Sequence, residues 1–252
     1  MPFLNVSFMS HILGMQSSAN VILPQSSPEQ AVGKPYKTLY LLHGLSDDHT
    51  AWARWTSIER YAAGYNLAVV MPNVHRSFYA DRKDGGRYFT FVSDELIRIM
   101  QEMFPLSDKR ADRYAAGLSM GGYGAMKLGL ACPDKFAVAA SLSGALDVFG
   151  RLAAAEAEFK AEFAHILDYT DEERRANDLF MLAEDLNKSS RPKPRLYAWC
   201  GTEDFLHEDN VKFSKFMQGL NFDFKYEESA GDHSWGCWDE KIQTVLKFIF
   251  DN

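Results

Sequence analysis

Ser119 sits in Gly117-Leu118-Ser119-Met120-Gly121, between an apolar run, RYAAG, and a segment rich in Ala, Met and Leu. The first reads as a strand and the second as a helix. A serine on such a strand-to-helix bend is held at strained backbone angles with its hydroxyl projected above the carboxyl edge of the sheet, poised to attack a carbonyl carbon. Glycines at 117 and 121 let backbone segments approach closely. Met120 comes next, so its N–H is placed to face an oxyanion. By composition alone a Gly-x-Ser-x-Gly turn arises in roughly 0.07 of chains this long. The turn therefore counts only if its partners are present.

A serine is a weak nucleophile at neutral pH and needs a base held by an acid. Around turns of this kind the acid follows the serine in the chain and the histidine comes last. Of seven histidines, only His165, His207 and His233 follow Ser119. His165 falls in an acidic helical stretch and His207 is three residues beyond Asp204. His233, in Ala230-Gly-Asp-His-Ser-Trp235, lies between a strand-like run and the last helix, where the base belongs. The loop after RLYAWC reads Gly201-Thr-Glu-Asp204-Phe and supplies the acid, Asp204, with Glu203 and Asp209 as competitors and Asp232 too near His233. A second oxyanion amide should follow an early strand, and Leu45 in YLLHGLSDDHTAW fits. His43 in the same loop reads as a structural hydrogen-bonding residue.

The elements that must position these groups are visible as alternating patterns. Strand-like runs occupy 36–43, 67–72, 113–117, 136–141, 195–200 and 222–228, several of them apolar throughout, as for strands covered on both faces. Helical stripes lie between them: Leu96, Ile99, Met100 and Met103 after a proposed N-cap at Ser93; Phe213, Phe216, Met217 and Leu220; and Trp238, Ile242, Val245, Leu246 and Ile249. Alternation predicts an α/β protein, a mostly parallel central sheet with helices on both faces, in a single domain over 1–252. Two stretches near the start, 4–9 and 20–23, predict an antiparallel edge. Residues 147–190 carry eleven acidic and five basic side chains, a stripe of Phe159, Phe163, Ile166 and Leu167, and a capping signature at Thr170-Asp-Glu-Glu173. They read either as a small helical cap insert over the site or as a long crossover helix.

Composition bounds the partners. A net charge of −7 argues against nucleic acid, because phosphate binding needs a basic surface. No apolar run approaches the length that spans a bilayer, and no signal peptide is evident, so a cytoplasmic location without membrane contact is expected. Cys132, Cys200 and Cys237 show no paired spacing and read as free thiols, two of them in the core. No HExxH, P-loop or strand-linked GxGxxG is present, so neither a metal nor another cofactor is expected. Trp52, His75, Tyr79, Trp199 and Trp235 flank the motifs and are candidate walls of a substrate pocket, with core packing the competing role for each. A homo-oligomer is compatible with these features.

YLLHGLSDDHTAW, VVMPNVHRSFYAD, DELIRIMQEMFP, AGLSMGGYGAMKLGL, SLSGALD, WCGTEDFL and AGDHSWGCWDE, in order along nearly the whole chain, resemble the esterase D and S-formylglutathione hydrolase superfamily and, within it, the bacterial tributyrin esterase or acetylesterase branch. The resemblance implies an α/β-hydrolase fold, a Ser119–Asp204–His233 triad and oxyanion amides at Leu45 and Met120. It further implies a serine carboxylesterase for short acyl esters, acetyl or butyryl, on a small-molecule ester or an acetylated carbohydrate, without a cofactor. Relatives include feruloyl esterases, thioesterases and acyltransferases. Formylglutathione hydrolases typically carry SGLTC where this chain has HGLSD, which argues against a glutathione thioester.

Overall fold

The computed structural model describes residues 1–25, 35–82, 85–154 and 170–251. Eight strands form one sheet: β1 (Phe3–Ser10), β2 (Met15–Ile22), β3 (Lys37–Leu42), β4 (Leu67–Pro72), β5 (Arg113–Leu118), β6 (Val138–Leu142), β7 (Arg195–Gly201) and β8 (Phe224–Ser229). Their order is β1-β2-β4-β3-β5-β6-β7-β8. The six strands from β3 onward pair in parallel, and β1 and β2 close one edge antiparallel, as the sequence pattern predicts. Alternating side chains divide the core. Leu39 and Leu41 of β3 join the layer with Trp52, Trp238 and Ile242, whereas Tyr40 and Leu42 join the opposite layer with Phe91, Tyr123 and Phe213. This two-sided burial explains why β3 to β7 read as unbroken apolar runs.

The α-helices of five or more residues among the described residues are α1 (Ala51–Trp55), α2 (Ile58–Ala63), α3 (Leu96–Met103), α4 (Met120–Ala131), α5 (Val148–Ala154), α6 (Asp171–Arg175), α7 (Leu179–Lys188), α8 (His207–Gln218) and α9 (Trp235–Phe250). In α9 all five residues of the expected stripe are buried. Ser93 is not an N-cap. The helical path already begins at Tyr88 and widens into a π-helical turn, Phe91–Glu95, which aims the Glu95 carboxylate at the β1–β2 turn. There it accepts from the Ser10 hydroxyl at 2.5 Å and the His11 N–H at 2.9 Å. As a result Ile97 joins Leu96 and Met100 inside, and Met103 is exposed. Leu220 lies beyond the end of α8.

Part of 147–190 lies among the described residues. α7 is a crossover helix: Asp178 caps it by accepting from the Phe180 N–H, and Leu179, Ala183 and Leu186 face the core against α4. A helix does begin at Asp171, but it ends at Arg175. The stripe of Phe159, Phe163, Ile166 and Leu167, with His165, lies outside the described residues. Of the cysteines, Cys200 alone is buried, while Cys132 and Cys237 are half-buried, so the core takes one thiol rather than two.

Candidate active site

Strands β3, β5, β6, β7 and β8 lie side by side, so the loops at their carboxyl ends form one row. That row presents His43 to Asp47, Ser119, Ser143, Asp204 and His233 in spatial order. Ser119 has φ +53° and ψ −119°, a conformation that costs a side-chain-bearing residue about 1–3 kcal/mol. Its backbone is pinned there: the N–H donates to the Leu142 carbonyl at 3.0 Å, and the carbonyl accepts from Tyr123 and Ala145. The flanking glycines are obligatory, since a methyl on Gly117 would collide with the Gly121 backbone, and one on Gly121 with the Leu42 and His43 carbonyls. Every residue from Arg113 to Leu130 is buried except Ser119. The bend thus lifts one hydroxyl out of an otherwise closed core.

His233 Nδ1–H donates to Asp204 Oδ2 at 2.8 Å, and the carboxylate side chain is itself fully buried. A carboxylate can only accept, so the Nδ1 proton is fixed and Nε2 is left with its lone pair. Burial pushes the Asp204 carboxyl up, but hydrogen bonds from His233, the Leu206 N–H and Ser143 outweigh it and hold the group below its ordinary range. Ser143, buried at the end of β6, accepts from the Trp238 indole N–H at 3.1 Å. The imidazole lies edge-on to Trp238, with centroids 4.9 Å apart, and against Phe205 at 4.5 Å. Sequence reading missed Ser143. Its signal is the SLSG turn at the same sheet edge as the nucleophile, which spacing alone does not connect to Asp204.

On the other side of Ser119, a methyl on Gly44 would lie 3.7 Å from the Ser119 Cβ, so this loop abuts the nucleophile. Asp47 closes it into a turn: its carboxylate accepts from the Gly44 N–H at 3.1 Å, and its own N–H donates to the Gly44 carbonyl at 3.3 Å. Leu45 is held at the crest of that turn. Neither the Leu45 N–H nor the Met120 N–H donates to another group among the described residues. Two amides with unspent hydrogens beside a lifted hydroxyl suit a developing oxyanion.

A family model for putative esterases matches residues 10–249. The chain belongs to this esterase family. It is 31% identical to an acetyl esterase of Caldicellulosiruptor saccharolyticus, across 99% of this chain and 98% of that protein. Two Staphylococcus aureus structures superpose with TM-scores of 0.86: the fluorophosphonate-binding serine hydrolase FphF, 33% identical and covering 100% and 99% of the two chains, and the S-formylglutathione hydrolase FrmB, 35% identical and covering 98% of each. The fold is that of the α/β-hydrolases, and the protein is a carboxylic ester hydrolase.

In this esterase several expected pocket walls turn out to be scaffold. Trp52 is 1% exposed and donates its indole N–H to the Leu42 carbonyl. Tyr79 is fully buried, its hydroxyl donating to the His43 carbonyl at 3.0 Å. Trp199 is buried against Ser229. Large rings with a polar tip anchor loops well, and these three hold the carboxyl edge from inside. His75 is exposed and edge-on to Tyr88, and half-buried Trp235 stacks edge-on against Trp52. The competing acids are otherwise engaged: Glu203 accepts from the Gly231 N–H, and Asp209 pairs with Arg151. His207 pairs with Glu228. A cavity of about 520 Å³ lies along α4 around Lys127, Asn177 and Arg191. Lys127 is eight residues, or about 12 Å of helix, beyond Ser119, so this cavity is not part of the site.

His43 has a structural role, as its sequence context suggests. The Val74 N–H donates to Nε2 at 3.1 Å, which fixes the proton on Nδ1, and Nδ1–H donates to the Gly44 carbonyl at 2.7 Å. Burial lowers its pKa from 6.5 to about 4, against the opposing pull of the Gly44 carbonyl and Asp48. An unfolded histidine takes up its proton near pH 6.5 and this folded one does not, so stability is fully present above pH 6.5 and is lost as pH falls towards 4. Between pH 7 and 4.5 the native protein should lose about 2–3 kcal/mol more unfolding free energy than His43→Gln. Urea unfolding at the two pH values measures the difference.

Proposed function

We propose that the protein is a serine esterase for short acyl groups, acetyl and butyryl foremost, working through an acyl-enzyme. Ser119 Oγ attacks the ester carbonyl as His233 Nε2 takes its proton. The Leu45 and Met120 amides receive the oxyanion, and His233 returns the proton to the departing alcohol oxygen. Water activated by the same nitrogen then releases the acid. Asp204 keeps the imidazole in the required tautomer and stabilises its protonated form. One observation carries this reading: a strained, accessible serine stands on the sheet edge where an imidazole is locked by a buried carboxylate. The short-acyl preference rests on likeness to the acetyl esterase. Treatment with a fluorophosphonate followed by peptide mapping should place the adduct on Ser119. Recovery of an unmodified Ser119 peptide from the native protein would overturn the assignment.

A second reading is thioester hydrolysis, favoured by the 35% identity to a protein described as an S-formylglutathione hydrolase. Likeness over that length outweighs the HGLSD-for-SGLTC difference as an argument about substrate. Rates on S-formylglutathione and p-nitrophenyl acetate, measured side by side, separate the two. The same acyl-enzyme could pass its acyl group to a sugar hydroxyl. Product partition between water and an added alcohol distinguishes that transferase outcome.

A further inference from the structure

Phe205 is 65% exposed, the most exposed of the large apolar side chains among the described residues, yet it sits next to the candidate acid, Asp204. Its backbone is not free to move. Asp204 accepts from the Leu206 N–H at 2.8 Å, the Asp204 carbonyl accepts from the His207 N–H at 2.9 Å, and the Phe205 carbonyl accepts from the Arg151 guanidinium. Arg151 also pairs with Asp209, and its guanidinium carbon stands 5.4 Å from the Phe205 ring centroid. The ring itself leans on His233 at 4.5 Å, tilted by 49°. An aromatic face is thus fixed, wet and in contact with the imidazole. Exposed apolar surface held rigid beside a reacting group suits a ligand that covers it.

Which part of the ligand follows from the proton's path. The proton that His233 Nε2 carries goes to the leaving alcohol oxygen, so that oxygen must come within about 2.6–3.2 Å of Nε2. The carbonyl oxygen points the other way, towards Leu45 and Met120. The body of a larger alcohol is therefore brought close to the side chains that border the imidazole. Trp238, 4% exposed, fills one flank edge-on. Phe205 is a second ring against the imidazole, and unlike Trp238 it is open to solvent.

We propose that Phe205, backed by Arg151, is the specificity-determining platform for the alcohol half of the ester, and that it favours alcohols with a planar or apolar body over small ones. This rests on the serine-esterase reading and extends it to the leaving group. It also gives α5, the start of the acidic stretch, a part in substrate choice through Arg151.

The test is a series of acetate esters, methyl, cyclohexylmethyl and benzyl, with native protein, Phe205→Ala and Phe205→Trp. The benzyl-to-methyl ratio of kcat/KM should fall about tenfold in Phe205→Ala and return in Phe205→Trp. The butyrate-to-acetate ratio for one alcohol should keep its native value. In transfer assays the acyl-enzyme's preference for benzyl alcohol over methanol should fall by the same factor, because that reaction reads the subsite in reverse. An equal loss on all acetates would overturn the proposal and make Phe205 a support for His233. A changed acyl ratio with a constant alcohol ratio would assign the ring to the acyl side and overturn it as well. Ser119→Ala run on the same esters keeps the underlying reading separate: activity surviving there would defeat the serine mechanism, whatever Phe205 does.

Discussion

Ser119→Ala is expected to lower kcat for p-nitrophenyl acetate by roughly 10⁵–10⁶-fold, with Tm unchanged to within a few degrees. The two halves of this result have separate causes. Without Oγ there is no acyl-enzyme, and what remains is whatever the oxyanion amides and substrate binding offer to attacking water. The fold is spared because, among the described residues, Ser119 hydrogen-bonds through its backbone: its N–H to Leu142, and its carbonyl from Tyr123 and Ala145. Alanine keeps all three and occupies the same positive-φ bend at similar strain. Steady-state kinetics beside a thermal melt reads both quantities. A loss of less than about a hundredfold would mean that another group attacks the ester.

Asp204→Asn should cost about 10⁴-fold in kcat/KM, near 5.5 kcal/mol of transition-state stabilisation. The substitution is nearly isosteric in a site where the side chain is fully buried, and an amide oxygen can still accept from the Leu206 N–H. What changes is the proton on His233. An amide NH₂ turned to Nδ1 demands a lone pair there, which moves the imidazole proton to Nε2 and removes the base from Ser119. Fluorophosphonate labelling of Ser119 should slow in parallel, since it needs the same base. Ser143 is the internal check on this argument: it hydrogen-bonds the same carboxylate yet does not touch the imidazole nitrogen in this way. A tenfold or smaller loss in Asp204→Asn would show that His233 is oriented by something other than Asp204.

Much of the fold was legible because its signals are local. A parallel strand with both faces covered must be apolar throughout, so VVMP and YAAG announced themselves, and α9 announced itself by spacing. The Ser119 bend was readable for the same reason: two glycines, a strand before and a helix after are contained in twenty residues. Asp204 and His233 were reachable because chain order in an α/β sheet constrains which loops share an edge.

What failed in the reading depended on contacts between distant segments. Ser93 looks like a cap, but Glu95 is pulled inward by Ser10 of a hairpin 85 residues earlier, and a π-helical turn absorbs the difference. Trp52 and Tyr79 look like pocket aromatics, and whether a ring faces substrate or braces a loop carbonyl is decided by where its polar tip finds a partner. The 147–190 stretch is amphipathic in either role, and packing of Leu179, Ala183 and Leu186 against α4 made its end a crossover helix.

The sequence by itself therefore determined the sheet, the strained serine and the order of its partners, because periodicity and turn chemistry act over a few residues. Only the tertiary structure decided that Asp204 grips His233, that Ser143 and Trp238 support the pair, and that Phe205 is left open beside it. Those facts are distances between loops far apart in the chain, and no local pattern encodes a distance.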